Sequence, residues 1–205
     1  MIGILGGTFV PVHFGHLRPA LDCLETLGLA ELRLIPLKVA VHRPQPEVPA
    51  ALRLDMLRAA VAGEPRMIVD PRELERPGRS YSVDTLRSLR EEFGAGRSIC
   101  LLMGFDAFAG FLDWHEPEAI LGLAHLVVMR RPKPGQGERL TPGLRHLYDE
   151  RACHGREALE ATPAGRILMQ QVTQLDIAST RIRALIRAGM SPVSDTHLRA
   201  HETGV

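Results

Sequence analysis

Two histidines stand three residues apart near the start of the chain, in the string Gly6-Gly7-Thr8-Phe9-Val10-Pro11-Val12-His13-Phe14-Gly15-His16. A glycine pair lets main-chain N–H groups approach an anion, and a helix start adds unpaired donors and the positive end of a dipole. Imidazoles at that spacing can fall on the same side of a helical turn. The string therefore describes a phosphate site with His13 and His16 as side-chain donors. No Gly-Lys-Ser/Thr follows the glycines and no G-x-G-x-x-G is present, so neither a Walker loop nor a dinucleotide fingerprint is read here. A second helix start, Asp176-Ile177-Ala178-Ser179-Thr180, brings two hydroxyls and, one turn on, the guanidinium of Arg183. Hydroxyls, free main-chain donors and a guanidinium suit further phosphate oxygens. Taken alone, the same residues also describe a helix cap with a solvated arginine.

The elements that must hold these residues alternate along the chain. An apolar run at 2–5 reads as a buried strand. Leu17, Ala20, Leu21, Leu24 and Leu27 have helical spacing, and Gly28 closes that helix. A strand over 31–36, a Pro-rich loop over 37–49, a helix over 50–63 and a strand over 66–69 follow. Residues 70–82 are polar and turn-rich. A helix is predicted over 83–93 with Ser82 as its cap, then a strand over 98–103 ending at Gly104-Phe105-Asp106. A short helix near Trp114-His115-Glu116-Pro117, a strand over 125–129, a linker over 130–139, a charged surface excursion over 141–163, a strand over 166–174 and a helix over 181–188 complete the reading. Strands alternating with helices predict an α/β, doubly wound parallel sheet with ligands at the carboxyl ends of its strands.

The 205 residues carry 25 Lys and Arg against 24 Asp and Glu. That balance argues against bulk binding to nucleic acid or to a membrane surface. With 45% hydrophobic residues the chain can build a proper core. Cys23, Cys100 and Cys153 are scattered, which fits reduced thiols in a soluble cytoplasmic protein. No run reaches transmembrane length. A single domain over 1–192 is expected. The remainder, 193–205, is polar and lacks a sustained apolar face.

The whole string G-G-T-F-x-P-x-H-x-G-H resembles the nucleotidyltransferase superfamily with the H-x-G-H signature. Further segments narrow the resemblance to the bacterial nicotinate-nucleotide adenylyltransferases: Arg72-Glu73-Leu74 with Ser80-Tyr81-Ser82-Val83-Asp84-Thr85-Leu86, Gly104-x-Asp106 followed by Trp114-His115, and Ile177-Ala178-Ser179-Thr180-Arg181-Ile182-Arg183. The resemblance implies a Rossmann-like nucleotidyltransferase fold and transfer of the adenylyl group of ATP to nicotinate mononucleotide. It makes His13 and His16 the catalytic pair. It gives Gly6, Gly7, Thr8, Phe9, Gly104, Asp106, Ser179, Thr180 and Arg183 to ATP, and His42, Arg43, Thr85 and Trp114 to the mononucleotide. Asp106 would meet ribose hydroxyls, or cap the helix that follows it; Trp114 would stack on the nicotinate ring, or serve the core. Magnesium is expected on the ATP phosphates and no metal site made by the protein is expected. Homo-oligomerisation is left open.

Three departures from the family pattern stand out. Val10 occupies a position that is usually acidic. The loop after the second strand reads Leu37-Lys38-Val39-Ala40-Val41-His42-Arg43 and lacks the usual prolines, with Lys38 either a substitute cation or a solvated side chain. The segment 193–205 does not follow the family's ending and reads as a truncated or foreign end. Sibling transferases for nicotinamide mononucleotide or phosphopantetheine, and a nucleotide-binding protein with impaired catalysis, are the competing readings.

Overall fold

The computed structural model describes residues 1–38, 48–130, 139–173 and 175–192. Its centre is a six-stranded sheet in the order β3-β2-β1-β4-β5-β6. The strands are β1 (Ile2–Gly7), β2 (Glu31–Pro36), β3 (Met67–Val69), β4 (Ile99–Gly104), β5 (His125–Arg130) and β6 (Ile167–Gln171). Every neighbouring pair is parallel. The chain builds outward from β1 through β2 to β3, then returns to β1's other side and builds through β4 to β6. The order thus reverses between β1 and β4, and a crevice opens at the carboxyl ends of those two strands.

Parallel strands are covered on both faces, so their sequences are apolar without strict alternation. One face carries Leu5, Leu32, Leu34, Cys100, Leu102 and Val127. Against it lie α1 (Phe14–Thr26), α2 (Ala50–Val61) and α8 (Gly155–Glu160), through residues such as Leu24, Leu57 and Leu159. The other face carries Ile2, Ile4, Ile35, Leu101, Met103 and Val128. It is covered by α4 (Ser82–Phe93), α5 (Phe105–Ala109), α6 (Pro117–Leu123) and α7 (Pro142–Arg151). A four-residue helix, α3 (Arg72–Glu75), bridges β3 to α4, and α9 (Ser179–Arg187) closes the described chain. The three cysteines are buried thiols. Among the described residues no helix is long and apolar enough to cross a membrane.

The doubly wound parallel sheet is the architecture expected from the alternation of elements. The region over 141–163 departs from expectation. It holds two helices, α7 and α8, rather than an irregular excursion. Each buries one leucine completely, Leu144 and Leu159. With so few apolar residues per helix, periodicity gives little signal. The start of α7 was nevertheless written locally: Thr141 Oγ1 accepts the Leu144 N–H at 3.3 Å, and Pro142 follows at the first helical position. Helix starts also shift. Tyr81, not Ser82, is the boundary residue of α4. Helix α9 begins at Ser179, two residues before the predicted start. His125 is fully buried: its Nδ1 accepts the Arg166 N–H at 3.0 Å, so Nε2 donates to the Thr162 carbonyl at 2.9 Å. Both ring nitrogens serve packing between β5 and the approach to β6. The segment 193–205, the linker over 131–138 and the loop over 39–47 lie outside the described residues.

Candidate active site

The turn after β1 delivers both histidines to the mouth of the crevice. Phe9 is buried with φ of 48°, and its ring meets His16 edge-on at 5.5 Å. A Cβ on Gly7 would sit 3.1 Å from the Phe9 ring, so the glycine makes room for the tucked phenylalanine. His13 is the boundary residue of α1; its carbonyl accepts the N–H of His16 at 2.8 Å and of Leu17 at 3.2 Å. The two imidazoles lie 3.8 Å apart between centroids, tilted by 34°. The spacing of His13 and His16 therefore does bring them together. Gly15 is what permits it: a Cβ there would stand 2.9 Å from His13 Nδ1 and 3.0 Å from the Ile177 carbonyl.

Burial, and secondarily the neighbouring His13, push the His16 imidazole down to about 3. His16 is thus neutral near pH 7 and offers one N–H donor. Its Nδ1 is buried without a hydrogen-bond partner among the described residues. A neutral imidazole beside a second one can offer an N–H donor to an anionic oxygen, and a nearby anion would favour its protonated form.

Helix α9 is fastened onto the same turn from far along the chain. Ser179 Oγ lies 3.0 Å from His13 Nε2 and donates to the Pro11 carbonyl at 3.3 Å. With the serine proton committed to Pro11, Nε2–H of His13 is the donor to Ser179. Arg183 Nη1 donates to the Val10 carbonyl at 2.6 Å. Ser179 is accordingly not a helix cap; Ala178 holds that boundary without a side-chain bond. Thr180 is exposed beside it. The Val10 side chain is buried, while its carbonyl holds Arg183. At position 10 the main chain, rather than the side chain, connects to the site.

Across the crevice, Gly6 is the penultimate residue of β1 and Gly104 the last of β4, and a Cβ on either would meet nothing within 4 Å. Asp106 is exposed in the first turn of α5, whose boundary residue is Gly104, so Asp106 does not cap that helix. Trp114 follows a single 3-10 turn, Phe111–Asp113, half-buried with its ring 5.8 Å from Phe111. It serves the core on one side and keeps surface on the other. Thr85 is placed differently from a freely presented side chain. It is buried, and its Oγ1 donates to Glu73 Oε1 at 2.6 Å. His42 and Arg43 lie outside the described residues. Lys38 is neither a simple solvated side chain nor aimed at the histidines: its ammonium donates to the Arg76 carbonyl at 3.1 Å and its N–H to Ser80 Oγ at 2.9 Å.

The sequence reading gave no role to Arg53. Its guanidinium, on a residue 2% exposed, donates to the carbonyls of Thr8 at 3.0 Å, Leu37 at 2.8 Å and Val48 at 3.3 Å. One buried side chain thereby ties the loops after β1 and β2 to α2. The signal available was an arginine inside an otherwise apolar helical face, which pattern reading assigns to solvent. A hollow of about 140 Å³ beside α5 is bordered by Phe105, Arg130, Leu140, Arg145, Tyr148 and Met169. A larger one of about 330 Å³, bordered by Arg151, Thr162, Gly165 and Arg166, lies at the opposite end of the sheet from the histidines.

A family model described as cytidylyltransferase-like matches residues 4–185. A relative from Halorhodospira halophila, named "probable nicotinate-nucleotide adenylyltransferase", is 45% identical over 190 residues, covering 93% of this chain and 86% of the relative. One of the same name from Methylococcus capsulatus is 45% identical over 192 residues, covering 93% and 90%. Among solved structures, the Plasmodium falciparum nicotinic acid mononucleotide adenylyltransferase complexed with NaAD is similar in fold. Its TM-score is 0.66 at 14% identity, covering 96% of this chain and 90% of that one. The histidine turn, the sheet reversal and these relationships agree: the chain belongs to the cytidylyltransferase-like family, among its nicotinate-nucleotide adenylyltransferases.

Proposed function

We propose that the chain transfers the adenylyl group of ATP to nicotinate mononucleotide, releasing pyrophosphate and forming nicotinate adenine dinucleotide for NAD biosynthesis. The observation that carries this reading is the packing of His13 and His16 against each other at the start of α1, with Ser179 and Arg183 of α9 fastened to the same turn. This joins a two-imidazole donor pair to a hydroxyl and a guanidinium at the sheet's reversal point.

In the reaction a phosphate oxygen of the mononucleotide attacks the α-phosphorus of ATP. A new P–O bond forms as the bond to the pyrophosphate oxygen breaks, and the electron pair leaves with pyrophosphate. No protein nucleophile is needed, so the work is positioning and charge stabilisation. His13 and His16 donate to oxygens at the α-phosphorus. Ser179, Thr180 and Arg183 receive the β- and γ-phosphates; Ser179 and Arg183 exchange main-chain carbonyls for phosphate oxygens as they do so, and His13 exchanges its bond to Ser179 for one to the α-phosphate. Gly6 and Gly104 leave the floor of the crevice open to the nucleotide, with Asp106 placed for the ribose. Tyr81, Thr85 and Trp114 lie on the mononucleotide's side. The donors around the histidine turn are N–H and O–H groups that complement phosphate oxygens. A magnesium ion would therefore be held mainly by the triphosphate, adding charge neutralisation there.

A coupled assay with ATP and magnesium tests the reading. Dinucleotide formation with nicotinate mononucleotide, well above that with nicotinamide mononucleotide or phosphopantetheine, is the expected result. ATP binding without turnover on any of the three would refute it.

A further inference from the structure

Glu73 is a buried carboxyl group that adenylyl transfer itself does not use. It lies in α3 and is 8% exposed. It accepts the Thr85 hydroxyl at 2.6 Å, and the Ser80 hydroxyl also bonds to it. Thr85 belongs to the first turns of α4, whereas Ser80 belongs to the segment leading into them. Arg76 Nη2 reaches Thr85 Oγ1 at 3.3 Å and the Tyr81 carbonyl at 3.4 Å. Ser80 in turn accepts the Lys38 N–H, and the Lys38 ammonium holds the Arg76 carbonyl. The exit of β2, the segment 76–81 and the start of α4 thus converge on one carboxyl group. The surface they form carries Tyr81, whose ring lies 4.3 Å from that of His115, next to Trp114.

A carboxyl group can offer a separate oxygen to each of the two hydroxyls, whereas an amide replaces one of those oxygens with an NH2 donor. The bond also turns the Thr85 proton inward, so its hydroxyl cannot donate outward while Glu73 holds it. Helix α3 has a second anchor besides this contact. Arg72 anchors it separately, through Asp70 at 2.8 Å, Ser88 at 3.0 Å and Glu92 at 2.5 Å. Glu73 is therefore free to serve the shape of the neighbouring surface rather than the attachment of its own helix.

We propose that Glu73 is a positioning residue for the mononucleotide: through Thr85 and Ser80 it fixes the segment 76–81 and the start of α4 against which that substrate seats. This rests on the adenylyltransferase reading given above and names a residue that acts through others in it.

The test compares Glu73→Gln, Thr85→Val, Thr85→Ser and the double variant Glu73→Gln/Thr85→Val with the unmodified chain. Both KM values, kcat and the melting temperature are measured. Glu73→Gln and Thr85→Val are each expected to raise KM for nicotinate mononucleotide on the order of tenfold, with KM for ATP unchanged. Thr85→Ser keeps the hydroxyl that Glu73 accepts and should reverse most of the KM rise seen in Thr85→Val. The double variant should be no worse than the worse single one, because both remove the same link. An unchanged KM for the mononucleotide in the single variants would overturn the inference. So would KM values for both substrates rising together with a lost melting temperature, or a double variant whose effects simply add. If the unmodified chain makes no dinucleotide from nicotinate mononucleotide, the substrate reading falls and this inference with it. If it does and the variants behave like it, only the inference falls.

Discussion

Replacing Gly15 with alanine should separate stability from catalysis. The added Cβ would lie 2.9 Å from Nδ1 and 3.0 Å from Cε1 of His13, and 3.0 Å from the Ile177 carbonyl. The Ile177 carbonyl belongs to the approach to α9, so relief must come largely from the His13 ring. That ring is confined on its other side by His16 at 3.8 Å and by Ser179 at 3.0 Å. Two opposing terms set the stability. Alanine within α1 gains about 1 kcal/mol over glycine in helix propensity. Overpacking costs about 1–3 kcal/mol. The net loss of about 0–2 kcal/mol corresponds to a fall of no more than about 8 °C in a domain of this size. Catalysis has no such compensation, since a displacement of about 1 Å at a reacting centre can cost about a hundredfold. Steady-state adenylyl transfer beside calorimetric melting measures both. A variant that keeps within about threefold of the original turnover would refute the argument that Gly15 sets the histidine geometry.

Removing the donor itself should do more. His16→Ala should lower turnover by about 10²–10³ while the fold persists, as loss of one preorganised donor does elsewhere; near-normal turnover would reject its role. In the ligand-free protein, proton-detected titration should find His16 ionising near 3, and a bound triphosphate should move its pKa upward. Because folding lowers this pKa, the unfolded chain binds the extra proton below pH 6.5. Stability attached to His16 is therefore full above that pH and is lost as pH falls from 6.5 towards 3. His16→Gln should flatten that part of the acid-unfolding profile. Arg53→Met would leave the Thr8, Leu37 and Val48 carbonyls without their donor. Urea unfolding should register a loss of about 3 kcal/mol or more, and a change below about 1 kcal/mol would show that the arginine is not a fastening for these loops.

Much of this molecule is written in short range. The run at 2–5, the glycine pair and the i, i+3 histidines describe a strand, a turn and a helix start within sixteen residues, and the structure assembles them in that order. The alternation of strands and helices fixes the parallel sheet, because parallel strands need crossovers and the crossovers here are long enough to be helical. Such features are legible because their causes are local: backbone freedom at glycine, helical periodicity and continuous burial of a strand. Even α7, within the stretch read as a surface excursion, had its local mark in Thr141-Pro142.

What only the tertiary structure decided has no local cause. Ser179 alone reads as a cap; across 166 residues it becomes the partner of His13 Nε2. Arg183 taken alone fits either a phosphate partner or a solvated side chain and Arg53 is given no role, yet each donates to a main-chain carbonyl of the turn after β1. Thr85 alone reads as an ordinary helix-start threonine, yet its proton is held by Glu73 twelve residues earlier. Local patterns can identify a donor or acceptor, but its partner depends on how elements distant in sequence meet across the sheet. A buried polar group takes whatever partner that packing brings within about 3 Å. The sequence by itself determined that a glycine turn and two histidines at a helix start open this chain; the packing of α3, α4 and α9 decided which polar side chains around them are tied to partners and which are left open.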